Sequence, residues 1–232
     1  MILLTLDTST EILGCCITNN EKLISETSIY NLKTHSINSI NVIDTVIKNS
    51  NLILKEIDAF VLSKGPGSFT GLRIAFSIIK AFSFSLNKPM ISISSLDTLC
   101  FRENFNGVVC SIMDALRNEV YINSFDNKES IITNTHEGDL IHVNDIKDYI
   151  KSKHGLTDNI LFTGNSLEKF EQKIKEDFPN SFMNKKIMSS YDYSILGMEK
   201  YKLGLFDDSK TCSPSYIRLS QAQEMLLNKN HD

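Results

Sequence analysis

The chain of 232 residues reads as an α/β protein built from two copies of one unit. Three observations carry that expectation. Residues 2–6 form an apolar run that ends at Asp7, and residues 108–113 run into Asp114 in the same manner. A second apolar-periodic segment then begins at Ile12 in the first half and at Val120 in the second. Within the first half lies the most distinctive stretch, Ser63-Lys64-Gly65-Pro66-Gly67-Ser68-Phe69-Thr70-Gly71-Leu72-Arg73-Ile74-Ala75, in which a buried-strand pattern passes through a glycine turn into a long apolar helix. The halves agree in pattern and not in identical residues.

Taken in order, residues 2–6 are a strand, and Asp7-Thr8-Ser9-Thr10 is the first connection. Residues 12–18 and 22–29 are strands joined by Asn19-Asn20, a good tight turn. An amphipathic helix starts near Thr34 with Ile40, Ile43, Val46 and Ile47 as its stripe. Residues 57–63 are a strand, 70–86 the apolar helix and 89–93 a short strand, after which Ser94-Ser95-Leu96-Asp97 opens a helix as a capping box. In the second half the spacing predicts strands over 108–113, from 120, over 130–133 and over 160–164. It predicts helices over 144–153, 166–178 and 192–206, with Pro179 ending the second. Residues 207–213 read as a polar linker, and 214–218 as a strand with Tyr216 and Arg218 on one face. Ser220-Gln221-Ala222-Gln223 caps a short terminal helix. The expected lobes are 1–105, with 207–232 packing back on it, and 106–206.

Composition excludes several classes. Apolar residues make up 41% and charged residues 22%, ordinary for a soluble globular protein. A net charge of −4 without a long basic run disfavours strong direct binding of nucleic acid by this chain alone. The apolar stretch 72–86 is interrupted by Ser77, Lys80, Ser83 and Ser85 and is expected to be too short to span a membrane. The first residues read as a strand, not a signal peptide. Five cysteines, an odd number without close spacing, argue against a disulfide framework and for a reducing, cytoplasmic compartment. Cys15 and Cys16, adjacent in a strand, point to opposite faces.

The chemistry-bearing residues form no complete catalytic set. Gly65-x-Gly67-x-x-x-Gly71 is one residue longer than the dinucleotide fingerprint, and no Gly-Lys-Ser/Thr follows it. A packing turn with Ser68 or Thr70 as N-cap is the better reading. The helix after it carries Leu72, Ile74, Phe76, Ile79 and Phe84 round the whole cylinder. It is therefore either a central core helix or one held between its own core and a partner protein. Asp7 and Asp114 at equivalent strand ends are what a phosphotransferase would use around Mg²⁺, but neither following turn contains the glycine that a phosphate needs. The turn-stabilising role is the simpler one. No histidine pair sits at i and i+4, since Ser39 follows His35 at that spacing, and no metal site is expected. Gly-x-Ser-x-Gly is absent, and no cysteine has an assignable base.

The segment from Gly65 to Ile74 resembles the signature of the bacterial TsaB (YeaZ) family. Leu6-Asp7-Thr8-Ser9 and His35-Ser36 fall in that family's order, and Asp114-Ala115-Leu116-Arg117-Asn118-Glu119-Val120-Tyr121 is similar to its Asp-Ala-Arg-Arg-Gly-Glu-Val-Tyr segment. Pro214-x-Tyr216-x-Arg218 matches near the end. The resemblance implies the duplicated, ribonuclease H-like lobes of the actin, hexokinase and Hsp70 (ASKHA) superfamily. It implies a non-catalytic partner of the paralogue TsaD, which transfers threonylcarbamoyl from an adenylate to N6 of adenosine 37 in ANN-decoding tRNAs. TsaD carries a His-x-x-x-His metal pair that this chain lacks.

By the same resemblance the ATPase TsaE docks on the pair, and ATP and the adenylate bind partner subunits, no cofactor being held tightly by this chain. Alone, the chain is expected to form a homodimer through a four-helix bundle. The implied interface comprises His35, Ser36, Ile40, Ile43, Ile47, Phe69, Arg73, Phe76 and Lys80, with Ile40, Ile43, Ile47 and Phe76 partly exposed in the monomer. Asp7, Gly65, Pro66, Gly67, Ser68, Gly71, Asp114, Tyr216 and Arg218 are implied to be structural. Two departures from the family pattern stand out. His35-Ser36-Ile37-Asn38-Ser39-Ile40-Asn41 replaces His-Ser-Glu-x-Leu-Leu-Pro, and Asn118 replaces a glycine whose left-handed turn asparagine can adopt. The alternative is an enzyme in its own right, either a sugar-kinase-like phosphotransferase or an endopeptidase.

Overall fold

A computed structural model describes residues 1–30, 35–126 and 136–218. The first sheet holds β1 (Ile2–Asp7), β2 (Ile12–Asn19), β3 (Lys22–Tyr30), β4 (Ala59–Gly65) and β5 (Met90–Ser94) in the order β3-β2-β1-β4-β5. The second holds β6 (Val108–Asp114), β7 (Glu119–Asp126), β8 (Asp139–His142), β9 (Ile160–Gly164) and β10 (Phe182–Lys185) in the order β10-β9-β6-β7-β8. The two orders are one order. In each sheet the first strand is central, the second pairs antiparallel with it, the third lies outside the second, and the fourth and fifth run parallel on the other side. The duplication inferred from two strand–aspartate runs is thus present in full topology.

Parallel pairing demands a crossover, and helices supply it. α1 (His35–Asn49) joins β3 to β4, and α2 (Phe69–Leu86) joins β4 to β5. In the second unit α4 (Ile146–His154) and α5 (Glu171–Asp177) do the same. α1 and α2 lie side by side on one face of the first sheet. Leu4 and Leu6 point into that layer, against Val42, Ile43, Val46, Ala75, Phe76 and Ile79. The neighbouring Leu3 points the other way, into a second core with Val61 and Ile91. β1 is buried on both faces, which is why it reads as a continuous apolar run and does not alternate. Cys15 joins the first core while Cys16 turns towards Ser190, opposite faces as the strand period requires.

The last helix of each unit lies between the sheets. α3 (Ser95–Cys100) packs on β6 and β7, whereas α6 (Ser190–Lys202) packs on β1, β2 and β5. α6, which follows the second sheet in the chain, thus reaches across to the first. α6 puts Tyr193, Leu196 and Met198 into the first sheet's second core, because that sheet face would otherwise be uncovered.

Other expectations shift. The helix predicted over 166–178 divides into a 3₁₀ turn, Leu167–Lys169, and α5. β10 was not legible, since a four-residue strand with one strongly apolar side chain carries no periodic signal. Residues 214–218 are not a strand. Ser215 N donates to Lys64 O, while the side chains of Tyr216 and Arg218 are held by different neighbours. The strand expected over 130–133 and the helix opened by Ser220 lie outside the described residues. α2 is longer than expected and, by length and composition alone, could cross a membrane; it lies on β4 with a third of it (33%) buried.

Candidate functional site

The glycine stretch and the first turn hold each other. Ser68 caps α2, its Oγ accepting from Gly71 N at 3.2 Å. Ser68 N donates to Ser9 O at 2.7 Å, and Thr8 Oγ1 donates to Gly71 O at 2.7 Å. A Cβ at Gly67 would lie 2.4 Å from Ser9 O, and one at Gly71 only 1.9 Å from Thr8 O. These glycines are there so that the turn after β1 can sit directly on the N-terminus of α2. Ser68 N and Gly71 N are thereby engaged by the protein's own chain, and the loop serves as a packing turn.

The two aspartates occupy equivalent positions with unequal surroundings. Asp7 Oδ1 accepts from Ser9 N at 2.9 Å, and Asp114 Oδ1 accepts from Leu116 N at 2.8 Å, the same two-residue turn in each unit. Asp7 is buried, and burial pushes its carboxyl up to about 6 against the Ser9 hydrogen bonds. Asp114 is ion-paired with Lys169 at the wall of a cleft of about 800 Å³ between the sheets. Asp7 does not reach that cleft, so the carboxylates do not converge on one point. Two other cations of the cleft are also paired, Lys185 with Glu168 at 3.2 Å and Arg218 with Glu119. Among the described residues no group of three or more His, Cys, Asp or Glu could hold a metal ion.

The turn of the second unit completes the comparison. Leu116, Arg117 and Asn118 all have positive φ, at 64°, 55° and 60°. The left-handed conformation expected at Asn118 thus extends over three residues, held by Ala115 N to Glu119 O at 3.0 Å and Glu119 N to Leu116 O at 3.0 Å.

On the outer face of α1 and α2 the predicted residues separate into two sets. Phe76 and Ile43 were expected to be partly exposed, but they are 4% and 3% exposed and belong to the core. Phe76 lies with Leu72, Ile79 and Ser83 on the buried stripe of α2. Ile40 is 51% exposed, Ile47 is half-buried, and Ser36, Phe69 and Arg73 are exposed, with Lys80 half-buried. His35 sets its Nε2 3.0 Å from Thr10 O, tying the start of α1 to the first connection. Two exposed residues were missed, Ile37 at 68% and Phe84 at 75%. The signal was present. Arg73 and Ser77 mark the outward side of α2, and Phe84 falls on that side at seven residues from Ser77.

At the head of this face stands a stacked group that joins α2 to the 214–218 segment. Arg73 Cζ lies 3.9 Å above the centre of the Phe69 ring, Arg73 Nε donates to Tyr216 Oη at 3.0 Å, and the Phe69 and Tyr216 rings are 4.9 Å apart. Below it Glu137 is ion-paired with Lys64 and accepts from Ser215 Oγ at 2.5 Å, so the 214–218 segment bridges the two units.

Comparison with known proteins agrees with this architecture. Residues 25–225 match a family model described as TsaD: tRNA N6-adenosine threonylcarbamoyltransferase. The chain is 26% identical over 228 residues to the tRNA threonylcarbamoyladenosine biosynthesis protein TsaB of Bacillus subtilis (strain 168), covering 96% of each chain. Among solved structures it superposes on YeaZ from Pseudomonas aeruginosa with a TM-score of 0.76 at 19% identity, covering 93% of this chain and 99% of that one. The ROK hexokinase of Thermus thermophilus gives a TM-score of 0.50 at 7% identity over 88% of this chain and 100% of that one, a likeness of fold alone. The duplicated sheets thus have the fold of the YeaZ structure and of that hexokinase. The family match extends across both units and the stacked group at the head of α2, and the chain belongs to the TsaD family and, within it, to the TsaB (YeaZ) proteins.

Proposed function

We propose that the chain takes part in forming N6-threonylcarbamoyladenosine at position 37 of ANN-decoding tRNAs, as an accessory subunit that binds the catalytic paralogue TsaD and performs no chemistry of its own. The observation that carries this reading is the outer face of α1 and α2, where Ile37, Ile40 and Phe84 stand exposed on helices whose opposite stripes fill the core. Exposed apolar clusters of this kind mark interaction sites. Two such helices from each subunit make a four-helix bundle of ordinary packing. Without TsaD the same face pairs with a second copy, and the ATPase TsaE docks on the heterodimer. ATP and the threonylcarbamoyl-adenylate bind partner subunits, and tRNA binds through the complex.

The rival reading, a phosphotransferase using Asp7 and Asp114, is disfavoured because Asp7 is buried outside the cleft while Asp114 is ion-paired with Lys169 at its wall. The test is co-purification and calorimetry with TsaD. Ile40→Asp should leave the thermal melt unchanged and abolish pairing, because a charge placed in a desolvated contact costs several kcal/mol. Retention of TsaD by that variant would place the contact elsewhere. Turnover of Mg·ATP by the isolated chain, removed by Asp114→Ala, would instead support the enzyme.

A further inference from the structure

The outer face of the two helices has an unbalanced charge. α1 and α2 carry three cations, Lys48, Arg73 and Lys80, against a single carboxylate, Asp44, in a chain whose net charge is −4. Asp44 is already engaged by Lys48 one turn along. Asp208, whose carboxyl is lowered chiefly by the hydrogen bond from Lys210 N, also lies within electrostatic reach of Lys80. Arg73 is different. Among the described residues no carboxylate stands within ion-pair distance of it, and its one hydrogen bond is from Nε to a neutral phenol.

Its position is nevertheless fixed. The guanidinium is stacked on Phe69 and tethered to Tyr216, so the side-chain entropy that an exposed arginine normally gives up on binding is already reduced. Among the described residues only Nε is used, which leaves there the two terminal nitrogens, the edge that grips a carboxylate in bidentate fashion. Arginine clamped by aromatic rings on an otherwise apolar face has the composition of an interface hot spot. Covering that face with purely apolar surface would desolvate a cation that has no carboxylate beside it among the described residues, which is unfavourable. A second copy of the chain brings the same excess of cations. The partner that fits must bring an acid.

We infer that Arg73, held between Phe69 and Tyr216, is the receptor for a carboxylate side chain of the partner protein, and that this pairing selects the partner over a second copy of the chain. The inference rests on the proposed docking of TsaD to this face and adds the chemistry of recognition. Phosphate groups of tRNA are the weaker candidate, because the cations near the cleft are paired and the chain as a whole is acidic.

The test measures the affinity of the full chain for TsaD, and its self-association, at low and at high sodium chloride. Wild type and the variants Arg73→Gln and Arg73→Lys are compared, each first checked by thermal melting. Arg73→Gln should weaken the heterodimer about thirtyfold at low salt, with Arg73→Lys in between, and should flatten the salt dependence. The self-pair should not weaken, and should tighten if the cations repel across it. Equal binding of wild type and Arg73→Gln, with the same salt slope, overturns the Arg73 assignment and leaves the docking reading standing. Failure of the wild-type chain to bind TsaD takes down both. Unchanged protein pairing with loss of tRNA from the assembled complex would assign the guanidinium to phosphate and overturn the inference in favour of RNA. A fall in melting temperature of Arg73→Gln that Arg73→Lys restores, without an affinity change, would reduce the stack to a structural device.

Discussion

Replacing Asp7 by asparagine isolates the cost of burying a charge at the end of β1. The carboxyl is raised from 3.8 to about 6, and the leading cause is burial, which outweighs the two Ser9 hydrogen bonds. Because the folded-state value lies above the unfolded one, the folded protein holds this proton more tightly than the unfolded chain. Asp7 therefore imposes no penalty below about pH 3.8; the penalty grows as pH rises through about 6 and is constant above it. Its size at neutral pH is about 3 kcal/mol, at 1.36 kcal/mol for each tenfold change in proton affinity.

Asparagine keeps the Oδ1 acceptor for Ser9 N and removes the charge, at the expense of placing an amide NH₂ in the same site. Asp7→Asn should accordingly gain about 1–3 kcal/mol at pH 7.5, a rise in melting temperature of about 5 °C for a chain of this size. Urea melts of both proteins at pH 7.5 and near pH 4 measure it, and the two should converge at the lower pH. An asparagine variant that is less stable at pH 7.5, or a difference that persists on acidification, would refute the argument. It would mean that the buried carboxylate is wanted in its charged form.

The remaining predictions address packing and the docking face. Gly71→Ala would drive a methyl group to 1.9 Å from Thr8 O, so the head of α2 must leave the first turn; the loss should be about 3 kcal/mol by urea midpoint. A midpoint unchanged from wild type would show that the loop and the turn are not in contact. Phe76→Ala should cost about 3–5 kcal/mol because the ring is core, in contrast to Ile40→Asp, which should melt with the parent. Equal melting of the Phe76 variant and the parent would return Phe76 to the surface. Phe84→Ser, removing a side chain that is 75% exposed, should change stability by less than about 0.5 kcal/mol while weakening association, as sedimentation would show.

Much of this protein is local and therefore legible in the amino-acid order alone. Apolar runs ending in Asp7 and Asp114 marked the central strands of both sheets, because a strand buried on two faces must be apolar at consecutive positions. Spacing rejected a nucleotide fingerprint at residues 65–71, and Ser68 declared the start of α2, because capping is a matter of three neighbouring residues. Other features depended on distant parts of the chain. Glycine at 67 and 71 is explained by Thr8 and Ser9, some sixty residues away, and nothing near the glycines names those partners. Arg73 and Ser77 hinted at the outward side of α2, but its apolar residues ran round the cylinder, and the sheet beneath it buried Phe76 and left Phe84 in solvent. The packing of α6 on the first sheet was not legible either, since an amphipathic pattern says that a face is covered, never by which sheet. The clamp of Arg73 by Phe69 and Tyr216 brings together residues 143 apart, and only the fold could decide that contact. Periodicity reports how each segment is shared between core and water, whereas the choice of neighbour is made by the packing of the whole.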